Sequence, residues 1–332
     1  MTAPADPTRA PALRGTLTAD VDAADGADLS ALEGMARVLT SSGQYKVLRQ
    51  FRPRDRYHAA AEGQALYTAL FVDVEATGLD TAADAIIEFA AVPFTYCPES
   101  GRIHDVLPPF VQLEDPGRDI PPEVQELTGI TPDMVAGRRI DDDAVARLVK
   151  GAALVVAHNA GYDRPMLERR FPAFRRRAWA CSLADVPWSK LGCRGAKLDY
   201  LLFQRCAEFF AGHRAEHDCL AAIHVLATAH DDGTIPFRCL LDAARRKTYR
   251  VWAHETPIEV KDTLKGRRYR WHPGSELRTK CWYRDCTEDE LAAELAWLCE
   301  HGYRGRKTPA QVHEQFVQAF DARDRYSARM GS

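Results

Sequence analysis

Three things are scarce or missing in this sequence, and each absence excludes a class of protein. No run of about 18 apolar residues occurs, so no membrane-spanning helix is expected, and the first residues lack the basic-then-apolar order of a secretion signal. No C-x-x-C pair occurs among the 9 cysteines, and their odd number suits neither a zinc knuckle nor a disulfide framework but fits a reducing compartment. An excess of positive charge is also missing. The 44 Lys and Arg face 47 Asp and Glu, a formal net charge of -3, which excludes a coat-like polycation and leaves any polyanion site to be local. What is present suffices for a core: 332 residues with 46% hydrophobic content can bury one main domain and a smaller one. The reading is of a soluble, cytoplasmic protein.

Residues 1–28 are rich in Ala, Pro, Thr and Asp with few large apolar side chains, too few to offset the entropy of folding, and are expected to be a disordered tail. Residues 29–66 read as an extension of one helix, from the spacing of Leu29, Leu32, Met35 and Val38, and a short strand over Tyr45 to Phe51. The main domain is expected over 67–232. Its pattern opens with three strands, Tyr67 to Glu75, Ala85 to Val92 and Val106 to Leu113. A short helix from Pro121-Pro122 to Gly129 follows, then strands Ala153 to Ala157 and Ala178 to Ser182 alternate with helices Tyr162 to Phe171, Leu198 to Phe209 and Arg214 to Ala229. An antiparallel meander followed by β-α-β units implies an α/β fold, a mixed five-stranded sheet with helices on both faces.

The first strand ends in an unusual way. Leu70-Phe71-Val72-Asp73-Val74-Glu75-Ala76-Thr77-Gly78-Leu79 places Phe71, Asp73 and Glu75 on one face, because successive strand side chains alternate. Two carboxylates held side by side repel and lose hydration, at a cost of several kcal/mol that a divalent cation offsets well. The Thr77-Gly78 turn brings backbone N–H groups to the same point, where a phosphate or nucleotide can approach. A D-x-E at an exposed strand end is common, so partners decide its meaning. One lies in His158-Asn159-Ala160-Gly161-Tyr162-Asp163, directly after a strand, where Asp163 stands at a helix start, a position that acids favour anyway through the helix dipole. Another lies in His213-Arg214-Ala215-Glu216-His217-Asp218. His213 and Asp218 converge only if His213 sits in the loop ahead of the helix, which Gly212 allows, whereas His217 points about 100° away from Asp218.

In order and spacing, D-x-E, HN-x-x-Y-D and H-x-A-x-x-D resemble the DEDDh exonucleases, a family that includes the proofreading epsilon subunit of bacterial DNA polymerase III, ribonuclease T and oligoribonuclease. The resemblance covers roughly Tyr67 to His230, with Tyr162 where the family usually has Phe. It implies a ribonuclease H-like fold and two Mg²⁺ ions, with Mn²⁺ as substitute, held by Asp73, Glu75, Asp163 and Asp218. An all-carboxylate set suits such hard ions better than Zn²⁺. It implies His213 as general base, and Thr77, Gly78, Leu79, His158, Asn159 and Tyr162 against the substrate. The implied activity is metal-dependent 3′→5′ hydrolysis of DNA 3′ ends to nucleoside 5′-monophosphates, of proofreading or repair type, with single-stranded or frayed nucleic acid as partner and a DNA polymerase or repair protein as a further one. An exoribonuclease that trims RNA ends is the alternative within enzymes, since the same carboxylates serve both sugars. A non-catalytic nucleic-acid-binding or polymerase-partner protein is the alternative outside them, disfavoured because such a module has no use for clustered anions.

Residues 233–305 change character and read as a small basic α+β module, with 306–332 as a C-terminal helix and tail. Between Lys261 and Arg284 eight basic residues face two acids, with Tyr269, Trp271, Trp282 and Tyr283 among them. Tyr249 to Ala253, Tyr269 to Trp271 and Lys280 to Arg284 are candidate strands, and Thr287-Glu288-Asp289-Glu290 is a capping box opening a helix through Trp297. Basic residues among aromatics suggest a second grip on nucleic acid, against the plainer reading of a solvated face.

Overall fold

A computed structural model describes residues 29–210, 212–274 and 279–327. The disordered tail expected for residues 1–28 lies outside this range, as do Glu276 and Arg278. The chain divides into two compact units, one ending at Val47 and the other beginning at Leu48. Helix α1 (Leu29–Ser41) belongs to the first and carries the expected apolar spacing.

The second unit begins with a two-residue strand, β1 (Arg49–Gln50), and the long strands β2 (Tyr67–Ala76) and β3 (Ile86–Tyr96), which pair antiparallel along their lengths. The expected third strand, Val106 to Leu113, is broken into β4 (Ile103–Val106) and β5 (Phe110–Leu113), both paired with β3. Pro108-Pro109 explains the break, since neither residue can donate to a ladder. Helices α2 (Pro122–Thr128), α3 (Pro132–Val135) and α4 (Asp142–Gly151) follow. The side chain of Asp141 caps α4 by accepting from the N–H groups of Asp143 and Ala144. Strand β6 (Leu154–Ala157) returns parallel to β2, helix α5 (Ala160–Arg170) leaves its end, and β7 (Trp179–Cys181) pairs parallel with β6. The sheet order is therefore β4-β3-β2-β6-β7 with β5 also on β3, five positions filled by six strands.

The expected helix from Leu198 to Phe209 is shorter. It consists of α6 (Leu198–Leu201) and a π turn over Leu202–Cys206, ended by Ala207 in the left-handed region at φ 53°. Glu208–Phe209 instead form β8, parallel to β1. Helices α7 (Ala215–Ala227) and α8 (Pro236–Arg245) complete the packing. Ala69, Phe71 and Val92 pack on one sheet face with Cys219, Ala222 and Ile223 of α7 and Phe237 of α8. Leu70, Val72 and Phe89 pack on the other with Val145 and Val149 of α4 and Met166 and Leu167 of α5. Each fully buried Phe or Leu contributes about 1.5–3 kcal/mol, so β2 and β3, covered on both faces, are firmly held.

Beyond α8 the chain forms a second, four-stranded sheet from β9 (Thr248–Ala253), helix α9 (Lys261–Gly266), β10 (Arg270–His272), β11 (Cys281–Thr287), helices α10 (Glu288–Trp297) and α11 (Pro309–Phe316), and β12 (Val317–Phe320), in the order β10-β11-β9-β12. Thr287 and Glu290 make the expected capping box. After β12 the chain returns to the first sheet, where Trp179 N–H donates to Ala322 O at 2.7 Å and Tyr326 Oη to Asp185 at 2.8 Å.

Candidate active site

The end of β2 carries Asp73 and Glu75 on the face shared with Phe71, the face that α7 covers. Each then meets an acid from another element. Carboxylate oxygens of Asp73, Glu75 and Asp218 lie within 4.8 Å of one another. Asp163, in the first turn of α5 and buried, stands on the same cleft without belonging to that tight group. The cleft holds about 190 Å³, with His158, Asn159, Tyr162, Leu198 and His213 on its walls.

Charge is poorly compensated here. Burial is the first cause that raises all four carboxyls above their usual range, and for Asp73 and Glu75 the neighbouring acids raise them further. Glu75 is pushed up to about 8 and Asp163 to about 7. Among the described residues no Lys or Arg pairs with any of the four. Four oxygen donors in one cleft, with no thiolate among them and no paired Lys or Arg, fit a hard divalent cation.

His213 lies in the loop before α7, as convergence with Asp218 requires, exposed and in the left-handed region at φ 69°. The carboxylate of Asp218 accepts from the N–H groups of His213 at 2.9 Å and Arg214 at 3.2 Å, which ties the loop to the cleft. His217 is exposed on α7.

The remaining expected substrate residues divide by what their polar atoms already do. Thr77 donates its hydroxyl to Asp84 at 2.9 Å and its N–H to Ala85 O at 2.9 Å, so it holds its own turn. A side chain at Gly78 would collide with the Asp84 carboxylate, which explains glycine there. Tyr162 Oη donates to Gly78 O at 2.7 Å, linking α5 to that turn. Both His158 nitrogens are engaged, Nε2 donating to Ala196 O at 2.9 Å and Nδ1 facing Ser182 Oγ at 2.8 Å, and burial lowers the ring to about 4, which keeps it neutral. Leu79 is 87% exposed, so ordinary turn packing does not account for it, and the Asn159 side chain is exposed as well.

Two residues of the site escaped the sequence reading. Glu88 sits opposite Glu75 in the β2–β3 register with a side chain 1% exposed, and Arg214 grips it through Nε and Nη2 while Ala215 N–H donates to it at 2.9 Å. This pair anchors the loop that bears His213 to the strand beside Glu75. The signal was available: an acid inside Ile86-Ile87-Glu88-Phe89-Ala90 breaks an apolar strand just as Asp73 does.

A cleft of clustered carboxylates at a strand end of a ribonuclease H-like α/β fold defines a nuclease. The profile of the RNase T family, described as exonuclease, matches residues 70–226, and this chain belongs to that exonuclease family. The DNA polymerase III subunit epsilon of Treponema pallidum is 30% identical over 165 residues, 47% of this chain and 73% of that relative. A PolC-type DNA polymerase III of Clostridium perfringens is 38% identical over 93 residues, which is 27% of this chain but 6% of the polymerase. Among solved structures, exonuclease X in complex with 5′ overhanging duplex DNA is 26% identical with a TM-score of 0.37, covering 53% of this chain and 98% of that one. Escherichia coli exonuclease I in complex with a dA16 oligonucleotide is 17% identical with a TM-score of 0.45, covering 78% and 64%. Among the described residues no helix is long and apolar enough to cross a membrane.

Proposed function

We propose that this protein is a divalent-metal-dependent 3′→5′ exonuclease that hydrolyses DNA from its 3′ end and releases nucleoside 5′-monophosphates, with the active site carried by residues 67–232. The observation that supports it most is the convergence of Asp73, Glu75 and Asp218 within 4.8 Å beside Asp163 and His213. These four carboxylates would hold the ions, and when bound, two Mg²⁺ or Mn²⁺ ions supply Lewis acidity at the scissile phosphate. His213 accepts the proton of the attacking water, whose oxygen joins phosphorus as the bond to the 3′ oxygen breaks. Leu79 offers its apolar side chain to the terminal base, and the exposed Asn159 faces the same nucleotide. Tyr162 and His158 act indirectly, one fixing the Gly78 turn and the other the Ala196–Leu198 segment that lines the cleft. The family relationship to polymerase III subunits favours DNA as substrate and a polymerase or repair assembly as partner.

The test is digestion of end-labelled DNA and RNA oligonucleotides with Mg²⁺, with and without chelator. A 5′-labelled DNA strand should shorten stepwise while a 3′ label is released at once as a mononucleotide, and chelator should stop both. Release of the 5′ label first would reverse the polarity, and faster digestion of RNA would replace the substrate.

A further inference from the structure

The second sheet sorts its cations and aromatics into two sets. One set is internal. Arg267 and Arg284 both bind the buried Glu294, Arg250 binds Asp285 at 2.7 Å and lies over the Tyr283 ring at 4.4 Å, and Tyr269 is buried, stacked on Trp297 with ring centroids 6.2 Å apart. The other set is external and lies together. Trp271 on edge strand β10 is 50% exposed and sits directly across from Trp282 of β11, ring centroids 5.2 Å apart. Lys265 Nζ lies 6.0 Å from the Trp282 ring, Lys261 is one helical turn away on the same side of α9, and Lys280 immediately precedes β11. All three lysines are exposed, and among the described residues none takes part in an ion pair. The acids of α10, Glu288, Asp289 and Glu290, stand at the opposite end of β11, roughly 20 Å away at strand rise.

We infer that this ridge, Lys261–Lys265–Trp282–Trp271–Lys280, is a second nucleic-acid site that binds single strands without sequence preference. The lysines neutralise phosphates, and the half-exposed Trp271 ring offers a surface on which an unpaired base can stack. The site lies outside the catalytic cleft and serves strands longer than the few nucleotides the cleft holds. It also answers an electrostatic need: a chain of net charge -3 gains little from long-range attraction, so its grip on a polyanion has to be local.

The experiment measures affinity of the full chain for a fluorescent (dT)20 strand in EDTA across a salt series, beside Mg²⁺-dependent hydrolysis of a dinucleotide too short to reach both sites. Because binding is read without metal, its outcome does not depend on the exonuclease reading. Trp271→Ala should weaken (dT)20 binding about 5- to 150-fold, and Trp271→Phe should recover most of it. Lys265→Gln with Lys280→Gln should make the negative slope of log K against log salt shallower by about 1.4, the value for two phosphates on a single strand. Dinucleotide hydrolysis should be unchanged in all three. Unchanged affinity and slope would overturn the inference and leave the ridge to an acidic protein partner. So would a parallel loss of dinucleotide hydrolysis, which would mean that the module acts by shaping the cleft.

Discussion

Glu294 on α10 and Asp73 in the cleft are both acids withdrawn from water, the first fully buried and the second half-buried, and their surroundings differ in one further respect. Glu294, with a side chain 1% exposed, is held by Arg267 and Arg284. Glu88, equally buried, is held by Arg214, and Glu168 by Arg164. Asp73, Glu75, Asp163 and Asp218 share a cleft in which, among the described residues, no Lys or Arg side chain forms an ion pair with them, the nearby Arg214 being engaged by Glu88. Burying an unpaired charge costs several kcal/mol, so acids that serve the fold bring their own counterion. Acids that leave the charge uncompensated are built to receive it from outside. The contrast within one chain sets the paired carboxylates apart from the four clustered ones that are proposed to hold metal.

The largest expected effect lies on the uncompensated side. Asp73→Ala or Asp163→Ala should lower nucleotide release by at least about 10³-fold, as expected when several kcal/mol of transition-state stabilisation are lost. The melting temperature in chelator should hold or rise, because repulsion is relieved, and the gain on adding Mg²⁺ should shrink. Hydrolysis at the wild-type rate by either variant would remove these residues from the site. Next in size, His213→Ala should lower turnover about 10²- to 10⁴-fold while leaving Mg²⁺-induced thermal stabilisation in place, and His217→Ala should be silent in both assays. The reverse pattern would show that the wrong imidazole faces the water.

On the compensated side, Glu294→Ala should destabilise the protein by about 1–3 kcal/mol in denaturant unfolding, because it leaves the partly exposed Arg284 and Arg267 without their acceptor, and the loss should be the same with and without Mg²⁺. A metal-dependent loss would contradict the division drawn here. The smallest effect is on pH dependence. In the folded, metal-free protein Glu75 titrates at about 8 and Asp163 at about 7, above their values in the unfolded chain. Their contribution to stability is fully present below pH 4 and is lost as pH rises through 7 to 8, because the unfolded chain releases those protons first. Melting temperature in chelator should therefore fall by a few degrees between pH 5 and 8.5, and Glu75→Gln should flatten that fall. A stability that rises over this interval would show that the carboxyls are compensated after all.

The sequence by itself determined which side chains the cleft could gather. A period of two puts Asp73 and Glu75 on one face of a strand, and Gly212 frees His213 from the helix that carries Asp218, so local geometry limits where those side chains can point. The capping box at Thr287 and the stop at Gly129 were legible for the same reason, whereas the single strand expected over Val106 to Leu113 is broken at Pro108-Pro109. Tertiary structure decided what depends on distant partners. Glu88 and Arg214 are 126 residues apart, and nothing local says that one neutralises the other. Whether Leu202 to Phe209 continues a helix or ends in β8 turned on pairing with Arg49–Gln50. The sequence shows Tyr269 and Trp271 as equivalent aromatics in a basic stretch, two residues apart and so on one face by alternation, yet one is buried on Trp297 and the other is half exposed. Tertiary packing settles that, because Tyr269 precedes β10 and lies against α10 while Trp271 lies within the edge strand across from Trp282.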